Sequence, residues 1–335
     1  MPEATALQYG THPGLRFACV LDGHGGCRDL GWNDVESWRP GQGVLWIHIE
    51  RDDPTAQAWV RERSGIDPLI VESLLAEESR PRVEAVEDGL LVVLRGVNRQ
   101  EGENPIDLVP LHVWGDAERV ISLRDKDHYL MALRDIRETL TKGRGVLSSG
   151  QLFALIADKV VKYVEPLVEE LEGQVDALDE DLADIRESGE ARQRLNRIRR
   201  SAISLRRYLA PQREALFRLQ AEETSWLAPR DKILIREVTD KVLRYVENLD
   251  AIRDRTTLLH EELTAQLSER IASNAHRLTA IAALLLPPSL LAGMLGANIG
   301  GIPGTDDPWA FVALCLLVIV IFPLELWVLR RLGWL

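Results

Sequence analysis

Between Arg277 and Asp306 the chain carries no full charge, and a second run from Pro308 to Leu329 carries only Glu325. A helix needs roughly 20 apolar residues to cross a hydrocarbon core about 30 Å thick, and both runs reach that length. The alternative, a helical hairpin buried in a soluble core, is disfavoured by two such runs standing side by side. Arg277 precedes the first run, and Arg330 and Arg331 follow the second. The segment between them, IGGIPGTDDPW, has two aspartates and no Lys or Arg. The excess of basic residues on the cytoplasmic side of membrane spans then predicts both termini in the cytoplasm and the short loop outside. No basic segment followed by an apolar run opens the chain, so no signal peptide is expected.

Composition narrows the rest. The 335 residues include 40 Lys and Arg against 52 Asp and Glu, a net charge of −12. Such an acidic chain disfavours nucleic acid as a partner and suits cations. The 46% hydrophobic and 27% charged content excludes both a disordered chain and one made mostly of membrane spans. Cys19, Cys27 and Cys315 form no CxxC pair and no disulfide framework. His24 and Cys27 have an H-x-x-C spacing suited to zinc, but no neighbouring His or Cys completes a site. Walker A, GxSxG and HExxH sequences are missing, so the chain is not read as an enzyme and no cofactor is expected.

Residues 1–148 predict an α+β domain, a mixed sheet covered by helices. Strands are expected at 17–21, 44–49, 108–114 and 119–124, with a hairpin across 80–97 turning at Glu87-Asp88-Gly89. Helices are expected at 54–63, 68–77 and 129–141. Residues 149–228 predict a helical hairpin. Its first arm is one long helix over 151–188 with a kink at Pro166, and acids dominate it from Glu165 to Glu190. The second arm, 191–220, is rich in arginine, so the two are expected to pair through opposite charges. A sharper reading lets the acidic tip concentrate divalent cations.

A third helix begins near Pro229. Ile235, Val238, Val242, Tyr245, Leu249, Ile252, Leu259 and Leu263 keep a 3,4 spacing, interrupted at Thr256. No Pro or Gly occurs from Asp231 to Leu286, so residues 229–296 predict a long stalk helix whose end, about 278–296, is the first span. Residues 297–307 form the outer loop, 308–329 the second span and 330–335 a cytoplasmic tail. Pro287-Pro288 are expected to loosen the first span.

One two-span chain cannot enclose a pore, but a symmetric ring of first spans does. The second span, rich in Leu, Val and Ile, suits lipid. Helical steps back from Asn298 give Met294 or Gly293, then Ser289 or Leu290, Leu286, Ala282, Leu278 and Ala275 as the pore-lining face. It offers amide, hydroxyl and apolar surface but no carboxylate, imidazole or thiol. A divalent cation crossing here keeps much of its water, bonded by the Asn298 amide and backbone near Gly296. Leu286 and Leu278 gate by narrowing. Asp306 and Asp307 form an acidic ring at the outer mouth. His276, Glu262 and His260 lie on the cytoplasmic approach, and Glu325 either pairs with Arg330 or reaches the interface.

Gly296-Ala297-Asn298, after a long stalk helix and before a short acidic loop, resembles the GxN signature of the CorA metal-transporter superfamily. The continuation GANIGGIPG is more similar to the zinc-transporter branch, ZntB, than to the magnesium branch. LDGHGG at 21–26, EESRPRV at 77–83, LRRYLAPQRE at 205–214 and the terminal GWL carry the likeness across nearly the whole chain. The resemblance implies a CorA-like cytoplasmic funnel, a homopentamer in the bacterial inner membrane, and uptake of Zn2+ and related divalent cations with a proton gradient. Zn2+ is then the substrate. The motif's middle residue, Ala297, is smaller than usual. Two rivals remain: a Mg2+/Co2+ channel of the same architecture, and a membrane-anchored coiled-coil scaffold in which Asn298 merely ends a helix.

Overall fold

The structure, a computed structural model, describes residues 14–77, 80–181, 188–296, 304 and 307–331. It divides into two compact units, one running to Leu258 and the other from Leu259.

The first unit opens with β1 (Leu15–Leu21), β2 (Cys27–Leu30), α1 (Trp32–Ser37), β3 (Leu45–Glu50), α2 (Pro54–Glu62) and α3 (Pro68–Leu75). It continues with β4 (Arg82–Val86), β5 (Gly89–Gly96), β6 (Val109–Gly115), β7 (Arg119–Arg124), α4 (Met131–Thr141) and α5 (Ser149–Lys162). The strands make one sheet in the order β2-β1-β3-β7-β6-β5-β4. β3 and β7 pair in parallel, and the other neighbours are antiparallel. This is the mixed sheet expected from the sequence.

Successive side chains of a strand point to opposite faces. One face presents Ala18, Val20, Ile47, Ile49, Trp114 and Ile121 to Trp32, Val35, Trp59, Ile70 and Leu74 of α1–α3. The other face presents Phe17, Cys19, Trp46, His48 and Ser122, on the side that carries α4 and α5. The starts of α2, α3 and α5 are built from short acidic or hydroxyl side chains. Asp53 Oδ1 accepts from the N–H groups of Thr55 (2.8 Å) and Ala56 (3.0 Å), and Asp67 Oδ1 accepts from Leu69 N–H (2.8 Å). Proline follows each at the first helical position, where its missing N–H costs nothing.

β2 and α1 were not anticipated. β2 buries only Leu30 among its four residues, and α1 spans six, so neither shows a periodicity.

The long helix expected over 151–188 is two helices, α5 and α6 (Glu165–Asp181), separated at Tyr163 and Val164. Pro166 is not a kink within a helix but the second residue of α6. Val164 O accepts from Leu167 N–H (3.0 Å) and Val168 N–H (3.3 Å), so the new helix starts just where proline is tolerated.

α7 (Ser188–Ala221) and α8 (Pro229–Leu295) follow. The predicted α8 stripe from Ile235 to Leu263 is buried throughout, including Thr256, whose hydroxyl donates to Arg253 O at 2.7 Å. Among the described residues, which leave out the acidic tip at 182–187, no ion pair joins the two hairpin arms. Apart from Arg213–Glu214 within α7, the ion pairs of α6 and α7 among the described residues run to α8. Arg255 reaches Asp176 Oδ1 (2.6 Å) and Asp179 Oδ2 (3.0 Å) on α6, and Asp250 meets Arg206 Nε of α7 at 2.6 Å. α8 carries both signs within two turns and supplies each arm with its counter-charge.

The second unit contains the end of α8 and α9 (Ala310–Arg331), both long and apolar enough to cross a membrane. α8 continues through Pro287-Pro288 without a break. The carbonyls of Ala283 and Leu284 there lose the N–H partners an α-helix would give them.

Candidate functional site

Leu278, Ala282, Leu286, Ser289 and Gly293 are all exposed on α8. At about 100° per residue they fall within an arc of roughly 80°. Ala280, Leu284, Pro287 and Leu291, four of the six covered or partly covered positions of this stretch, lie on the opposite side. The face proposed from sequence for the ion path is therefore turned away from the side of α8 that is covered within this chain. Met294 falls outside the arc, so Gly293 is the residue that keeps the register.

Ser289 Oγ donates to Leu285 O at 2.6 Å, which uses its only proton and leaves its lone pairs outward. Gly296 ends the helix, its N–H bonded to Ala292 O at 2.9 Å. Ala297, Asn298 and Asp306 lie outside the described residues. Asp307 is placed at the start of α9. Its Oδ1 accepts from Trp309 N–H (2.9 Å) and its carbonyl from Ala310 N–H (3.1 Å), so it caps that helix.

His260, Glu262 and His276 are spread along α8, and Glu262 Oε1 accepts from the neighbouring Gln266 amide at 3.4 Å. Among the described residues, no three His, Cys, Asp or Glu side chains converge to hold an ion. Glu325 does not pair with Arg330. Its Oε2 is covered and has no hydrogen-bond partner among the described residues. Arg331 instead ends α9 with its guanidinium 5.2 Å from the Trp327 ring, a pair suited to a membrane interface.

The H-x-x-C spacing does not become a site. His24 sits in the turn between β1 and β2, its backbone N–H bonded to Asp22 Oδ1 at 2.7 Å. Cys27 instead lies diagonally across from Cys19 of the adjacent strand, on the same face of the sheet. Sequence reading missed this pair because β2 itself was not legible.

The model of the family described as CorA-like Mg2+ transporter protein matches residues 41–331. The chain belongs to the CorA-like Mg2+ transporter family. It is a divalent cation transporter of that family, not an enzyme, and the end of α8 and α9 are its transmembrane helices. The divalent cation transporter CmaX of Pseudomonas aeruginosa is 37% identical over 98% of this chain and 99% of its own length. The structure of full-length CmaX matches with a TM-score of 0.83 over 98% of this chain and all of that one. The zinc transport protein ZntB of Pectobacterium carotovorum is 31% identical over 97% of each chain. The CorA magnesium transporter of Methanocaldococcus jannaschii shares the fold at 17% identity, with a TM-score of 0.79 over 95% of this chain and 98% of its own. CorA-family proteins are homo-oligomers that transport divalent cations.

Proposed function

We propose that the chain takes up Zn2+ and related divalent cations across the bacterial inner membrane. The path is a homopentameric pore lined by the end of α8, with both termini cytoplasmic. Residues 1–148 and 149–228 form the cytoplasmic part, 229–296 the stalk and first span, 297–307 the outer loop and 308–329 the second span.

The observation that carries this reading is the exposed arc of α8 formed by Leu278, Ala282, Leu286, Ser289 and Gly293. Water bound to a divalent cation is a strong hydrogen-bond donor, so a path for the hydrated ion needs acceptors. Ser289 Oγ, with its proton already committed, and the Asn298 amide oxygen supply them. Inner-shell binding of bare Zn2+ would need nitrogen or sulfur ligands, which the arc lacks. Asp306 and Asp307 raise the local cation concentration at the mouth. Zinc as the substrate is supported by GANIGGIPG and the likeness to ZntB. The family description favours Mg2+ as the second reading.

Proteoliposomes loaded with a zinc-sensitive dye test the proposal. Zinc addition raises the signal, and Asn298→Ala lowers the uptake rate at least about tenfold, the scale of one lost transition-state contact worth about 1.4 kcal/mol. A better response to Mg2+ than to Zn2+ would establish the second reading. No ion entry at all would leave only a tethered scaffold. A pH dye in the same vesicles reads proton symport as acidification that accompanies zinc entry.

A further inference from the structure

β1 and β2 pair with Cys19 opposite Asp29 and Leu21 opposite Cys27. Cys19 and Cys27 are therefore diagonal neighbours on one face of the sheet. Their approach is set by the five-residue turn between the strands. Asp22 Oδ1 accepts from the N–H groups of His24 (2.7 Å) and Gly26 (2.8 Å), and Asp22 N–H bonds Gly26 O at 3.1 Å. Gly145 N–H holds the turn from outside through Gly25 O at 2.6 Å.

The two sulfurs have different surroundings. Cys19 is fully buried and Cys27 half-buried. Interaction between the two sulfurs favours the thiolate at Cys27 and, together with burial, raises the Cys19 thiol. Burial and Asp29 oppose ionisation of Cys27. Arg137 of α4 favours it, with its guanidinium 3.2 Å from Asp29 Oδ2 and 5.0 Å from the Phe17 ring. A partly exposed sulfur with a second thiol diagonally across the strand pair and a guanidinium favouring its ionisation is the setting of a reactive cysteine.

We propose that Cys19 and Cys27 form a reversible dithiol–disulfide site oxidised by hydroperoxides, with Cys27 attacking and Cys19 resolving. In the first step Cys27 sulfur bonds one peroxide oxygen and the O–O bond breaks. With hydrogen peroxide, the departing hydroxide takes a proton and leaves as water, and Cys27 becomes a sulfenic acid. In the second step the Cys19 thiol gives up its proton and bonds the Cys27 sulfur. The S–O bond breaks, and the departing hydroxide takes that proton as a second water. The two thiols supply the two electrons that the peroxide accepts.

Diagonal neighbours have Cα atoms about 7–8 Å apart, whereas disulfides span about 4.4–6.8 Å. The end of β2 must therefore move inward by about 1 Å. β2 is a four-residue strand at the sheet's edge, paired on one side only, so it can make that shift. The resulting strain keeps the bond readily reducible, as a reversible site requires.

The test uses the full-length protein in detergent with Cys315→Ser, which removes the exposed thiol of α9. Hydrogen peroxide, alkylation and denaturing mass spectrometry should show both remaining thiols lost together, with a mass lower by two hydrogens, and full recovery with dithiothreitol. Cys19→Ala should stop at a Cys27 sulfenic acid that dimedone traps. Cys27→Ser should slow oxidation of Cys19 roughly tenfold or more, because the buried thiol lacks thiolate character. Sulfinic acid at Cys27 with Cys19 still alkylatable would overturn the proposal. So would protection of both thiols by micromolar Zn2+ before peroxide is added, which would make the pair a metal site.

Discussion

Arg124 Nε donates a hydrogen bond to His48 Nε2 at 3.2 Å, within the buried face of the central sheet. The other ring nitrogen lies 3.2 Å from Ser122 O and 3.0 Å from its hydroxyl. A ring that accepts at Nε2 and donates at Nδ1 is neutral, and a fixed guanidinium beside it penalises a second proton. Burial, then Arg124, holds His48 well below the ordinary histidine range, with Arg16 adding to the effect. His112 is pushed down to about 4, first by burial and then by Arg51, with Nδ1 at 2.8 Å from Leu74 O.

These two histidines predict acid sensitivity. The unfolded chain takes up protons near pH 6.5, while folded His112 does not until about pH 4. Their contribution is fully present above the unfolded value and is lost as pH falls toward the folded ones. For His112 alone the loss is roughly 3 kcal/mol. Thermal unfolding followed by tryptophan fluorescence should fall steeply across that window. His112→Leu should flatten the slope, and an unchanged slope would refute the assignment.

Two glycine substitutions should act in opposite directions. A Cβ on Gly89 would land on the Trp114 indole, whereas one on Gly173 would meet nothing. Gly89→Ala should cost about 1–3 kcal/mol by forcing the ring aside. Gly173→Ala, on the exposed side of α6, should stabilise by about 0.5–1 kcal/mol through helix propensity. Denaturant midpoints of the two variants measure both signs at once.

Arg255 bridges two aspartates of α6, but all three side chains are solvated. Arg255→Ala should cost no more than about 1 kcal/mol. The difference from the parent should vanish in about 1 M salt, where charges are screened within about 3 Å. A larger, salt-independent loss would mean that the arginine works through packing of its stem.

Asp307 combines a helix cap with a negative charge at the proposed mouth. Serine keeps the cap and removes the charge. Asp307→Ser should leave the unfolding temperature within about 2 °C, the shift expected for a few tenths of a kcal/mol. It should also lower cation uptake at low ionic strength and not at high. Equal uptake at both ionic strengths would restrict Asp307 to capping.

Much of this architecture is legible in local spacing. The two uncharged runs, the short apolar runs of β5 and β7 and the 3,4 stripe from Ile235 to Leu263 each report how one segment is buried or meets lipid. The arc from Leu278 to Gly293 is likewise a property of one helix. What required the folded chain is pairing between segments. β3 lies parallel to β7 across more than sixty intervening residues, Arg255 finds the acids of α6, and Cys19 meets Cys27 through a strand too short and polar to announce itself. Periodicity records the burial of a single element, because that depends on its own apolar positions. Which element covers it depends on the joint geometry of two distant stretches, and only tertiary packing decides that.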